Sequence, residues 1–134
     1  MYNQNVQTVE QYEGGMCMNA VEYLGEARWS RVQLDALLER RSWCSQMAAC
    51  RSGGRSEALE KLQREVDRRI DAEAERQLEA LGRIDALADP AQRAVLRYRY
   101  LSGMPWKEIA RRMNYSQDWV KHVHGKAVRE MGEC

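Results

Sequence analysis

Apolar positions recur at helical spacing over most of the chain. From Leu59 the series Leu62, Val66, Ile70, Ala74, Leu78, Leu81, Ile84 and Ala88 advances 29 residues in eight steps. That mean of 3.6 is the period of an α-helix. The opposite face carries Glu60/Arg64, Glu65/Arg69 and Glu75/Glu79/Arg83 at i, i+4, and Ser56 is placed to cap the helix start. Upstream, Leu24, Ala27, Leu34, Leu38 and Ala48 mark a second long helix, from a cap at Asn19 to about Cys50. Arg28, Glu39, Arg40 and Arg51 lie off that stripe. Trp29 and Trp43 are two heptads apart, so they share a face. Arg51-Ser52-Gly53-Gly54-Arg55 predicts the turn between the two helices, since paired glycines cost a helix about 2 kcal/mol relative to alanine. The pattern is that of an antiparallel hairpin over 19–88. Its apolar stripes bury each other, a copy from a second chain, or both.

The remainder, 89–134, breaks into three shorter helices. Asp89-Pro90-Ala91-Gln92 is a helix start, with a capping carboxylate, proline at the first turn and Gln92 reaching back. Val95, Leu96, Tyr98, Tyr100 and Leu101 follow, until Ser102-Gly103 ends the helix. Pro105 opens a short helix to Met113. Asn114-Tyr115-Ser116 forms a turn in which asparagine tolerates the left-handed conformation. Ser116 caps the last helix, which runs to about Met131. Residues 1–18 are polar, aperiodic and expected to be disordered. The codons of Glu13-Gly14-Gly15 can spell a purine-rich ribosome-binding sequence ahead of Met16 and Met18, so Met18 is an alternative expected start to Met1.

Composition agrees with an all-α fold. The 134 residues are 31% charged and 44% hydrophobic, with two prolines and no phenylalanine, and the mean hydropathy is −0.71. No apolar run approaches the roughly 18 residues that a membrane span needs, so a cytoplasmic location and no membrane partner are expected. The four cysteines form no CxxC pair. His122 and His124 lie two apart, about 200° around a helix, and cannot chelate together. No metal and no cofactor are expected. Charge is divided unevenly. Before Pro90 there are 12 basic and 16 acidic side chains, net −4; from Pro90 on there are nine and four, net +5. A basic end on an acidic helical body points to a polyanion partner.

Pro105 to Gly125 has helix-turn-helix spacing. Ala110 is small where two helices would cross, and Asn114 lies four residues on, at the turn. Val120 and Val123 follow at ten and thirteen, facing back, with Ile109 and Met113 completing a small core. The run Arg93, Val95-Leu96, Arg99-Tyr100-Leu101, Gly103, Trp106, Glu108-Ile109-Ala110, Met113, Ser116, Val120, His124, Ala127 and Met131 resembles region four of sigma-70-type factors. With the preceding hairpin, residues 19–131 resemble a small phage and prophage family of sigma-like proteins, akin to late-gene and autolysin-type transcriptional regulators. Two positions depart from the pattern. Asn114 stands where glycine is common, and Pro105 where Ser or Thr often caps.

The resemblance implies a DNA-binding domain over 89–134 whose last helix, 116–131, enters the major groove. Ser116, Gln117, Asp118, Lys121 and His122 would then face base edges, with Gly125 on the same side. Gln117 suits adenine, Asp118 suits the cytosine amine and Lys121 suits guanine O6/N7. Lys107, Arg111, Arg112 and Lys126 are expected at phosphates. Trp119 is expected to pack against the helix that begins at Pro90, and Tyr98, Tyr100, Tyr115 and Trp106 to be core. Nothing in the chain resembles the sigma region that melts DNA, so the expectation is a regulator, with RNA polymerase and a second copy as further partners. The alternatives are a packaging subunit like a small terminase, or a helical adapter that does not bind DNA. In small terminases the DNA-binding segment usually precedes the oligomerising helices, the reverse of the order here. An enzyme is not expected, because no phosphate-cradling loop and no nucleophile–base pair is present.

Overall fold

The structure, a computed structural model, describes residues 19–50 and 56–132. The expected disorder and start site within 1–18, and the turn at Arg51–Arg55, lie outside those residues. The rest is all helix, with no strand among the described residues. α1 (Ala20–Cys50) begins where the Asn19 Oδ1 accepts the Glu22 N–H at 2.9 Å. α2 (Glu57–Asp85) begins where Ser56 Oγ accepts the Leu59 N–H at 3.2 Å. Each side chain satisfies one of the amide donors that a helix start leaves open.

α1 and α2 pack along each other in opposite directions. Ser30 hydrogen-bonds Glu73, and the Gln77 side chain donates to the Ala27 carbonyl at 2.8 Å, so a step back along α1 meets a step forward along α2. The seam runs along α2 through Val66, Ile70, Glu73, Gln77, Ala80 and Ile84 and, just past its end, Leu87. Its steps of three and four average 3.5, the coiled-coil repeat. This corrects the apolar stripe read from the sequence. Leu78 is 69% exposed, and Ala74 and Ala88 also face water. On α1, Leu24 and Ala27 are buried as expected, but Leu38 and Ala48 are exposed and Cys44 is fully buried instead. A count of apolar side chains cannot see that Glu73 and Gln77 occupy the seam, because what admits them is a hydrogen-bond partner on the other helix.

Three further helices form a head at the base of the hairpin. α3 (Pro90–Leu96) starts at Asp89, whose carboxylate accepts the Ala91 N–H at 2.9 Å. It continues into a π-helical turn, Arg97–Leu101, closed by Ser102 N–H donating to the Arg97 carbonyl at 2.9 Å. Gly103, at φ +70°, turns the chain away. α4 (Trp106–Met113) and α5 (Gln117–Met131) follow.

Two clusters fix the head. Val95, Ile109, Ala110, Val120 and Val123 form its own core. Leu24 of α1, Ile84 and Leu87 from the α2 end, Leu96 and Tyr100 of the third helical segment and Ala127 of α5 form a second core shared with the hairpin. Leu24, Ile84 and Leu96 are each fully buried there, and each contributes about 1.5–3 kcal/mol by leaving water. Polar contacts reinforce the joint. Arg97 pairs with Asp85, Arg93 donates to the Leu87 carbonyl at 2.7 Å, and the Arg31 guanidinium donates to the Leu101 carbonyl.

Candidate nucleic-acid interface

α4 starts without a side-chain cap, since Pro105 occupies that position with none to offer. The helix ends at Asn114, which adopts the left-handed conformation at φ 63°, ψ 39° and lets the Tyr115 N–H close on the Ala110 carbonyl at 3.1 Å. Asparagine does here what glycine does in related turns. Two residues on, Ser116 caps α5 by accepting the Trp119 N–H at 3.1 Å. Two helices joined by this tight turn cross at Ala110, which is 7% exposed.

The rear of α5 is sealed: Val120 and Ala127 are fully buried and Val123 is 7% exposed. Helical geometry then turns the intervening positions outward. Ser116, Gln117, Asp118, Lys121 and His122 are all exposed, as are Lys107, Arg111, Arg112 and Lys126. Gly125 is half-buried, and a Cβ there would meet only Arg129 Nη1, at an ordinary 3.8 Å. The packing of the chain itself therefore leaves that glycine replaceable.

Two of the basic residues are not free cations. Glu108 pairs with both Arg111 and Arg112, with an Oε2–Nε separation of 3.2 Å to the latter. Hydrogen bonds from Arg111 and then Arg112 hold the Glu108 carboxyl below its usual range. Among the described residues, Lys107, Lys121 and Lys126 form no ion pair with a carboxylate, and they frame the outward side of the α4–α5 unit.

The aromatic side chains divide. Trp106, Tyr98 and Trp119 pack against the core of the head, as expected, and Tyr100 is buried in the shared cluster. Tyr115 is not core. It stands 53% exposed and stacks on Trp119 with ring centroids 3.8 Å apart. It sits in the turn, one residue before the cap, so helical spacing does not apply to it. His124 has a role that the sequence reading missed. Its Nε2 lies 2.7 Å from the Tyr100 hydroxyl, and the Trp106 ring meets it edge-on at 5.0 Å. The Arg99 guanidinium lies over the other part of this nest, 4.2 Å from the Trp106 ring centre. Burial, and secondarily the Arg99 charge, push His124 down to about 4, so it is a neutral packing residue at physiological pH.

Residues 88–131 match the model of the family described as Sigma-70, region 4. That segment is a sigma region-four-like helix-turn-helix. That family is a DNA-binding helix-turn-helix domain. Neither the curated proteins nor the solved structures contain a significant match to the chain. Among the described residues, no helix is long and apolar enough to cross a membrane, and no group of three or more His, Cys, Asp or Glu side chains is placed to hold a metal.

Proposed function

We propose that the protein is a sequence-specific, DNA-binding transcriptional regulator of phage or prophage type, acting in the cytoplasm. The observation that carries this reading is the two-sidedness of α5 on a region-four-like head. Val120, Val123 and Ala127 brace it from behind, while Ser116, Gln117, Asp118, Lys121 and His122 stand clear on the other side. Laid in the major groove, Gln117 pairs bidentately with adenine, Asp118 accepts from cytosine and Lys121 donates to guanine. Lys107, Arg111, Arg112 and Lys126 meet phosphates and set register. The hairpin is the association arm, toward a second copy of the chain. RNA polymerase is a further partner, contacted from the region-four-like head. The order of segments, with the oligomerising helices first, favours this reading over a packaging subunit.

The test is selection from random duplex DNA with the purified full-length protein. A defined motif should emerge, bound with a log–log salt slope of about −4 to −6 if five or six phosphates are neutralised per protomer. Gln117→Ala should relax one position of the motif, at about 1–3 kcal/mol. Absence of any motif together with a flat salt response would support the adapter reading instead.

A further inference from the structure

α1 is apolar on two faces, and α2 covers only one of them. Away from the seam, Trp29 is 55% exposed, Val32 49% and Trp43 51%. The outward positions Gly25, Trp29, Val32, Ala36, Glu39, Trp43, Gln46 and Cys50 alternate steps of four and three, a second heptad seam on the same helix. Gly25 lies inside this helix and has no heavy atom within 4 Å of where a Cβ would stand. A mid-helix glycine costs stability, and nothing among the described residues requires this one. It leaves a notch in the outer face.

We propose that this face pairs with the same face of a second copy, the two α1 helices running antiparallel about a dyad near Leu34. This rests on the reading of the hairpin as an association arm and is independent of DNA recognition. In that register Trp43 fills the notch at Gly25 of the other copy, and Ala36 lies against Val32. Glu26, exposed on one flank, meets Arg40 on the same flank of the other copy, twice over by symmetry. A parallel pairing would instead set Glu39 against Glu39 and leave the two glycine notches facing each other as a void. A tryptophan buries up to about 250 Å². Two half-exposed tryptophans with Val32 therefore offer roughly 300–350 Å² per copy. Doubled, that is about 600–700 Å², and Ala36, Glu39 and the Glu26 and Arg40 flanks carry it toward the roughly 1,000 Å² expected of a specific interface.

The experiment is sedimentation equilibrium of the full-length protein without DNA. The wild type should sediment as a dimer at micromolar concentration. Gly25→Gln should be monomeric while keeping its helical circular dichroism, because the notch is open in the single chain and glutamine favours helix. Glu26→Arg and Arg40→Glu should each weaken the dimer by roughly tenfold, and the double charge swap should restore it. A damaged fold would not be rescued by the swap, and neither would a parallel dimer. A monomeric wild type, a ring or larger assembly, a dimer unaffected by Gly25→Gln, or a swap without rescue would overturn the proposal. The selection experiment on DNA stands or falls separately.

Discussion

The Tyr100 hydroxyl and His124 Nε2 lie 2.7 Å apart, joining the π-helical turn to the middle of α5. Burial raises the Tyr100 phenol and lowers the imidazole, so both groups are neutral where they meet. An unfolded histidine titrates near 6.5, and this one titrates at about 4 in the fold. Between those values the unfolded chain binds more protons, so the stability held by neutral His124 is complete above about pH 6.5. It is lost as pH falls toward 4. After allowance for solvent screening the effect is about 1–2 kcal/mol. Urea midpoints at pH 7 and pH 5 should differ more for the wild type than for His124→Gln. Equal differences would mean that other groups carry the acid sensitivity.

Ser30 and Glu73 form the polar rung of the hairpin, 2.6 Å apart, with Ser30 3% and Glu73 9% exposed. Ser30→Ala removes the donor and leaves a carboxylate in the seam, with Arg76 3.6 Å away on the outer side. A loss of about 1–3 kcal/mol is expected. The pair Ser30→Ala with Glu73→Leu should return to near wild-type stability, since a packed apolar pair can replace a buried polar one. Denaturant titration of the single and double variants measures this coupling, and strict additivity would refute it.

Much of this architecture is written in local chemistry. Asn19, Ser56, Asp89 and Ser116 each cap the helix they were expected to cap, and Asn114 takes the left-handed turn. Such signals are legible because they depend on neighbours within three residues. The seam of α2 lies beyond such signals: Glu73 and Gln77 are admitted to it by Ser30 and the Ala27 carbonyl, over forty positions away. The π-helical turn at Arg97–Leu101 and the nest around His124 likewise arise from packing between elements. At the proposed interface, the outward set on α5 follows from helical period and the position of the turn. The pairing of Arg111 and Arg112 with Glu108 required side-chain geometry.

That pairing has a measurable effect. Glu108→Gln releases two guanidiniums beside the proposed phosphate path. Affinity for duplex DNA should rise several-fold at low salt, and the log–log salt slope should steepen by about 1–2. An unchanged slope would place Arg111 and Arg112 away from the duplex.

Ala110 sets the distance between α4 and α5, in contact with a core where Ile109 and Val120 have no exposure. Ala110→Leu should overpack that crossing and cost about 1–3 kcal/mol or more. Near-ultraviolet circular dichroism and urea unfolding would report it. A variant of full stability would mean that the two helices have slack at their closest point.

The core that Leu24 and Ile84 share with Leu96 and Tyr100 leaves no hinge between hairpin and head. A second head carried by a second copy would be held at a spacing set by rigid helix rather than by a tether. The pair would act as a gauge of duplex phase. Five extra base pairs between two half-sites would carry one of them to the far side of the DNA, where no swivel of the protein could follow.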